Sequence, residues 1–167
     1  MRRGCELLFV ACLGGCWGKA AIDMTGTYHV TSHVASACTD DMPVATPAQY
    51  VRFVSSAGGY TMQVCSSIDA NTCSDVAELT DPIDGDGWRQ NERTVVDGLG
   101  MDTCQLELVE GTAYLDDDTW LTVDITTYRS APFDRSAPEC ADPPDERFDE
   151  LPCESHVKIS ATQLTTL

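Results

Sequence analysis

The sequence is poor in basic residues and has no long hydrophobic run. Its 167 residues include 10 lysines and arginines against 27 aspartates and glutamates, a formal net charge of −17. Nucleic-acid binding needs a basic patch that neutralises phosphates, so this balance argues against nucleic acid as a partner. The apolar run near the N-terminus is shorter than the ~18 residues that a membrane-spanning helix needs, so no transmembrane segment is expected.

The sequence also lacks the motifs of common catalytic and metal sites. No G-x-S-x-G element occurs, so we predict no enzyme activity and no catalytic residues. His29 and His33 lie about 13 Å apart along one predicted strand, too far to bind one ion together. Pairing of the first and last strands would bring His33 towards His156, but exposed histidines are the favoured reading. No metal site and no cofactor are predicted.

One acidic turn leaves a calcium site open as an alternative. Asp81, Asp84 and Asp86 gather carboxylate oxygens, which are the ligands that calcium prefers. The spacing is not that of an EF-hand, because Pro82 and Arg93 occupy the places of the first and last carboxylates. A solvated turn is therefore favoured over a calcium site.

The first sixteen residues have the layout of an export signal. Arg2 and Arg3 precede an apolar core, residues 7–13, and the small pair Gly14-Gly15 comes directly before Cys16. A positive start, a short apolar core and small residues at a cleavage site are typical of a secretory signal peptide. The sequence therefore predicts a protein outside the cytoplasm.

Leu13-Gly14-Gly15-Cys16 resembles the lipobox of bacterial lipoproteins. The resemblance implies that residues 1–15 are removed as a signal peptide and that Cys16 is acylated, leaving 16–25 as a lipidated linker and 26–167 as a single domain. Several acyl chains would anchor the protein stably in a bilayer. Trp17 follows the cysteine in place of an aspartate, which implies the outer membrane of the cell envelope. A secreted protein cleaved elsewhere is the alternative.

The cysteines support an oxidising compartment. Cys5 and Cys12 leave with the signal peptide and Cys16 takes the lipid, so an even set of six remains: Cys38, Cys65, Cys73, Cys104, Cys140 and Cys153. No C-x-x-C spacing occurs, which argues against zinc and against a redox-active pair. Six cysteines outside the cytoplasm predict three disulfides with 15 possible connectivities.

The composition and the alternation of the chain predict an all-β domain. Aspartate outnumbers glutamate 18 to 9 and threonine reaches 18, a bias that suits strands joined by turns. Eight strands are predicted, at residues 27–37, 50–56, 60–66, 74–80, 88–97, 104–115, 119–129 and 155–164. The fourth could instead contain one helical turn, and a short helix is predicted within 144–151. Gly58-Gly59 predicts a hairpin turn, and Gly111 predicts a bulge or corner.

Eight sequential strands most simply form an antiparallel meander that closes when the last strand pairs with the first. If the end where the first strand begins is called the bottom, the six cysteines all fall at the top. We favour Cys65 with Cys73 and Cys140 with Cys153, because each pair brackets one connection, which leaves Cys38 with Cys104. Such bridges would stabilise the top loops and point them away from the membrane.

A meander that opens with Gly26-Thr27-Tyr28 resembles the lipocalins and the wider calycin group, whose first strand opens with Gly-x-Trp. The resemblance implies a barrel whose interior binds a small apolar ligand through the top. Tyr28, Phe53 and Tyr60 are predicted to point inward, where they would line that cavity or fill it. The alternative is an envelope protein with a packed barrel that contacts another protein through its acidic surface or through the 130–154 loop.

Overall fold

The computed structural model describes residues 22–38, 42–43, 47–83, 87–98, 102–116 and 119–164. The predictions for the signal peptide, the lipobox, Cys16 and the linker up to residue 21 lie outside the described residues. Asp84 and Asp86 of the calcium alternative lie outside them as well. No described helix has the length and apolar character needed to cross a membrane.

The described residues form strands joined by turns and short helical segments. The strands are β1 (Gly26–Ser36), β2 (Met42–Pro43), β3 (Tyr50–Ser56), β4 (Gly59–Cys65), β5 (Cys73–Leu79), β6 (Asp81–Ile83), β7 (Gly87–Asp97), β8 (Thr103–Asp116), β9 (Trp120–Arg129), β10 (Phe133–Asp134) and β11 (Cys153–Gln163). One α-helix, α1, spans Glu146–Asp149, and 3₁₀ turns span Ala70–Thr72 and Pro138–Cys140. The prediction of an all-β fold is confirmed, and the fourth predicted strand is a strand and not a helical turn.

The strands form one antiparallel sheet that curls into a nearly closed barrel. Their order is β5-β4-β3-β1-β11-β9-β8-β7-β6, with β2 beside β1 and β10 beside β8. The predicted pairing of the last strand with the first is present, since β11 lies between β1 and β9. In a meander, strands that follow one another in the chain pair with each other. Here the β1–β11 pair also joins the first strand to the last.

Closure is incomplete at one place, which we call the seam, between β5 and β7. No described backbone ladder joins these two strands. Instead, β6 folds back onto the first three residues of β7, and the Thr80 amide donates to the Arg89 carbonyl at 3.1 Å. The barrel therefore closes at the bottom of the seam and stays open towards the top.

The core fills the bottom of the barrel. Its largest fully buried side chains are Tyr28, Phe53, Met24, Met62, Leu79, Leu121 and Ile159. The rings of Tyr28 and Phe53 meet edge to face with centroids 5.8 Å apart. The predicted inward aromatics thus contact each other, an arrangement that adds to the hydrophobic gain of burial.

A bulge in β1 reverses the faces predicted for its upper half. The register against β11 shifts between Val30 and Ser32, so the extra residue changes which side chains point inward. His33 lies opposite the buried Ile159, and Val34 lies opposite the exposed Lys158. His33 therefore faces inward and not outward, as the favoured interpretation of exposed histidines required, because one inserted residue exchanges the two faces of a strand.

Strand β8 buries opposite faces in its two halves. Cys104, Leu106 and Leu108 are buried in its first half, and Gly111, Ala113 and Leu115 in its second. The second set faces the barrel core, while Leu106 and Leu108 pack outside it against Phe148 of α1. Both ladders run through Gly111 without a register shift, so the predicted bulge is absent.

The β3–β4 hairpin turns at Ala57-Gly58, one residue earlier than Gly58-Gly59 predicts. Gly58 has φ +108°, a conformation that favours glycine. Gly59 is required for another reason: a Cβ built on it would lie 2.0 Å from the Leu79 carbonyl oxygen. The second glycine therefore permits close approach of β5 and belongs to the strand.

We expect Gly59→Ala to lower the free energy of unfolding by about 1–3 kcal/mol, because overpacking forces a backbone shift. Gly111→Ala is the matched control, since its Cβ would meet its nearest neighbours at 3.6 Å, an ordinary contact. Urea denaturation of both variants measures the difference. Equal losses would show that β5 does not approach Gly59 as described.

The three disulfides join Cys38 to Cys153, Cys65 to Cys73 and Cys104 to Cys140. The Cys65–Cys73 pair is the one that we favoured, and the other two favoured pairs are wrong. Ser36 lies opposite His156 in the β1–β11 ladder, so the chain just beyond it meets the start of β11. Phe133 pairs with Cys104, so the 130–152 segment folds back over β8 and brings Cys140 to it.

Candidate functional site

The seam opens into a cleft of about 580 Å³ between β5 and β7. Asp75, Glu78 and Glu92 contribute carboxylates to its walls, and its lining includes no lysine or arginine. Val76 lies beside them at the point where the β4–β5 register shifts, with 42% of its surface exposed. The cleft therefore has a strongly negative character with two apolar side chains, Val76 and Ala77.

Gln90 closes the inner wall of this cleft and is the buried polar residue of the described core, with 7% of its surface exposed. Its Nε2 donates to Glu92 Oε2 at 2.8 Å. Its Oε1 has no hydrogen-bond partner among the described residues. Because a carboxylate only accepts hydrogen bonds, the atom that contacts Glu92 is the amide nitrogen, and the amide oxygen is the atom without a partner among the described residues. An unsatisfied buried acceptor costs about 1–3 kcal/mol.

The upper interior of the barrel carries an ion pair. Glu107 and Arg129 lie opposite each other on β8 and β9, and the guanidinium contacts the Glu107 carboxylate. Arg129 Nη1 also lies 2.9 Å from Glu154 Oε1. The hydrogen bond to Glu107 is the main reason that the pKa of Arg129 is raised. This part of the interior is therefore polar.

The N-terminal end of the described chain is bound to the bottom of the barrel. Trp88 Nε1 donates to the Ile22 carbonyl at 2.9 Å, and the Tyr28 hydroxyl donates to the Met24 carbonyl at 3.0 Å. The Tyr60 hydroxyl donates to Asp23 at 3.0 Å. Hydrogen bonds from Thr25 come first in lowering the pKa of Asp23. The chain therefore enters the barrel at the bottom, at the end opposite the disulfides.

A second cleft, of about 420 Å³, lies beside the β1 bulge and includes His33 in its lining. The Ala48 amide donates to His33 Nδ1 at 3.1 Å. Burial lowers the pKa of His33 from its ordinary value of 6.5. The neutral ring is therefore the form that accepts this hydrogen bond, because a protonated ring has two donors and no acceptor.

As the pH falls, we expect the unfolded chain to bind a proton at His33 at a higher pH than the folded chain does, because the pKa of His33 is lower in the folded state. The stability that depends on the neutral ring is then complete above pH 6.5 and declines as the pH falls towards the folded pKa. Urea denaturation between about pH 5 and 8 measures this effect. The free energy of unfolding is expected to fall more steeply towards acid pH in the wild type than in His33→Gln. His29→Gln is the control, and identical pH slopes in wild type and His33→Gln would contradict the prediction.

The structure does not bring the histidines together. His156 lies opposite Ser36, and its Nε2 lies 2.8 Å from Asp124 on the outer face. His33 faces the interior three positions away on β1, opposite Ile159. Within the described part of the chain, no group of three histidine, cysteine or acidic residues is placed to hold a metal ion.

Two aromatic side chains are exposed on the outer face near the bottom. Tyr114 and Trp120 have 41% and 44% of their surface exposed. They lie diagonally across the β8–β9 ladder, since Asp116 is the residue opposite Trp120. Exposed aromatic side chains of this kind are enriched in protein interfaces.

No protein-family model, curated protein or solved structure matches this chain.

The seam and its two central residues, Gln90 and Glu92, were not predicted from the sequence. A signal for them existed, because Trp88, Gln90 and Glu92 alternate along β7 and share the face that Trp88 buries in the core. Polar residues at inward positions indicate either a paired network or a site. No local sequence pattern predicts the open seam itself, because the seam depends on which strands pair in the folded sheet.

Proposed function

We propose that this chain is a lipid-anchored protein of the cell envelope that acts by contacting another protein, with a packed barrel and no catalytic role. The observation that carries the proposal is the filled interior. Aromatic and aliphatic side chains with less than 2% of their surface exposed occupy the bottom of the barrel, and an ion pair lies above them. This arrangement favours a packed barrel over a hollow one.

Binding of a small apolar ligand is the second candidate function, and it requires a different barrel interior. It expects a continuous apolar cavity of at least about 300 Å³ open at the top. The clefts at the seam and over the outer face of β7 to β9 are instead lined mostly by polar side chains. The exposed aromatics Tyr114 and Trp120 also support an interaction role.

Acylation at Cys16 and an outer-membrane address are part of the proposal. Three disulfides favour a compartment outside the cytoplasm. Six residue steps join Cys16 to Ile22, and an extended chain covers at most about 21 Å over that length. A lipid on Cys16 would therefore hold the bottom of the barrel close to the bilayer, with the disulfides on the far side.

Intact mass spectrometry of protein purified from its own membrane tests the anchor. We expect a mature chain that begins at Cys16 and carries the added mass of acyl chains, with no acylated product from Cys16→Ala. Cys12→Ala is the matched control and is expected to be acylated normally. An unmodified mature N-terminus would overturn the lipoprotein proposal.

Native mass spectrometry and photocrosslinking of the same material test the interaction role. A photoreactive residue at Tyr114 is expected to trap an envelope protein, whereas one at Gln105, which is part-buried and bonded to the Ser130 carbonyl, is expected to trap none. A co-purified small apolar molecule without any crosslinked partner would favour the ligand hypothesis instead.

A further inference from the structure

The outer face of β9 and β11 carries a block of uncharged side chains near the bottom of the barrel. Alternate residues of both strands are buried in the core, so the residues between them point outward. The outward residues form two rows across the ladder, with Trp120 opposite Thr162 and Thr122 opposite Ser160. Tyr114 of β8 extends the second row, since it lies opposite Thr122. We call these five residues the neutral face.

The sheet holds the aromatic ring of Tyr114 in place. Gly87 lies opposite Tyr114 in the β7–β8 ladder, and a Cβ built on Gly87 would lie 3.0 Å from Tyr114 Cδ1. The ring therefore leans across Gly87, and the residue nevertheless stays exposed, as Trp120 does. Aromatic side chains that are already fixed provide contact area at little entropic cost to binding.

The row above the neutral face carries one acid and one base. Asp124 of β9 lies opposite Lys158 of β11. The carboxylate of Asp124 lies 2.8 Å from His156 Nε2, whereas Lys158 is exposed and forms no ion pair within the described part of the chain. Acidic residues outnumber basic ones 27 to 10 in this sequence. A lysine without a partner in such a chain is available to a carboxylate from another molecule.

A two-fold axis along the gap between β9 and β11 makes this surface complementary to itself. Rotation about that axis places each β9 residue of one copy opposite the β11 residue of the same row in a second copy. Asp124 then faces Lys158 of the second copy, and the symmetry repeats this pair on the other side of the axis. Thr122 faces Ser160, and hydroxyl groups both donate and accept, so this pair can form a hydrogen bond in either direction.

We propose that the neutral face is the contact surface between two copies of this chain, related by a two-fold axis along the strands between β9 and β11. Molecules of like charge repel, so two copies of an acidic chain approach closely only where carboxylates do not oppose each other. The axis also keeps the bottoms of both barrels on the same side, so two copies anchored at Cys16 can meet in one bilayer. This inference rests on the proposed interaction role and names the partner as a second copy.

Sedimentation equilibrium of the full mature chain, purified from its own membrane in density-matched detergent, tests the contact. We expect the wild type to form a concentration-dependent dimer. Trp120→Ala is expected to raise the dissociation constant at least about tenfold, because central aromatic side chains dominate the energy of an interface. Val54→Ala, which truncates an exposed apolar side chain on β3, is the control and is expected to change the constant less than about twofold. A wild type that stays monomeric up to about 100 μM would overturn the proposal.

Charge reversal at the symmetric pair separates this contact from general association. Asp124→Lys sets two cations against each other across the axis, and Lys158→Asp sets two carboxylates against each other. Each variant alone is expected to dimerise at least about tenfold more weakly. An equimolar mixture of the two is expected to form a heterodimer within about threefold of the wild-type affinity, because each copy then offers the charge that the other lacks. Glu150→Lys, which reverses a charge at an exposed site beyond α1, is the control and is expected to dimerise normally.

Equal dimerisation by the mixture and by each variant alone would overturn the proposal, since the two charges would then not face each other. A mixture that stays monomeric although circular dichroism shows both variants folded would overturn it too. Acyl mass on Cys16 is measured in the same sample. Acylated protein that traps a different envelope protein at Tyr114 and stays monomeric refutes this inference alone, whereas a dimer without acylation refutes the anchor alone.

Discussion

Replacing Cys38 and Cys153 together by serine is expected to lower the free energy of unfolding by about 5 kcal/mol in the chain-entropy account of disulfides. The bridge joins residues 115 positions apart, so its loss frees most of the described domain in the unfolded state. Small domains are stable by only about 5–15 kcal/mol in total, so the variant would lose between a third and all of that stability. Urea denaturation measures the loss directly.

The Cys65→Ser/Cys73→Ser double variant is the matched control. Its bridge joins residues only 8 positions apart, and the same account gives a loss of about 2.5 kcal/mol. Equal losses in the two double variants would contradict the connectivity, because the long loop would then not be closed by Cys38 and Cys153. Peptide mapping under non-reducing conditions provides a second check, and a Cys140–Cys153 peptide would also contradict it.

Phe53→Ala is expected to cost about 3–5 kcal/mol, the usual cost of truncating a buried aromatic side chain. The Phe53 ring is 1% exposed and meets Tyr28 and Tyr60 edge to face, with centroids 5.8 and 6.4 Å away. Its removal would leave a cavity between two rings that are themselves fixed by hydrogen bonds to the N-terminal segment. Urea or thermal denaturation of the variant measures the cost.

Val54→Ala is the control for this truncation, because Val54 is the next residue of the same strand and is 39% exposed. We expect it to change stability by less than about 0.5 kcal/mol. A loss below about 1 kcal/mol for Phe53→Ala would show an interior that is not close-packed around this ring. That outcome would favour a hollow barrel and with it the small-apolar-ligand hypothesis.

Much of the fold was accessible from alternation along the chain. The eight long strands lie within a few residues of their predicted positions, and α1 falls inside the predicted 144–151 range. The six cysteines lie at the top, as strand reversal predicts, because each is at or beyond the same end of a strand. A local pattern of period two is enough for these features, since the pleat itself fixes which side chains share a face.

Two of the three disulfide pairs could not be predicted from the alternation pattern or from loop length. Preference for a single short connection led to Cys140 with Cys153, although the predicted pairing of the first and last strands already places Cys38 near the start of β11. The register Ser36 opposite His156 makes that neighbourhood explicit. Loop length alone was a poor guide, because strand register and the path of the 130–152 segment decide which cysteines meet.

The positions of the strands, the negative charge, the six oxidisable cysteines and their common end of the sheet all follow from the order of residues along the chain. The tertiary structure decided the bulge that turns His33 inward, the exchange of buried faces along β8 and the open seam beside Gln90. Alternation is a property of neighbouring residues, and any one strand carries it. Twist, register and closure depend on contacts between strands that are distant in the chain, so no local pattern could specify them.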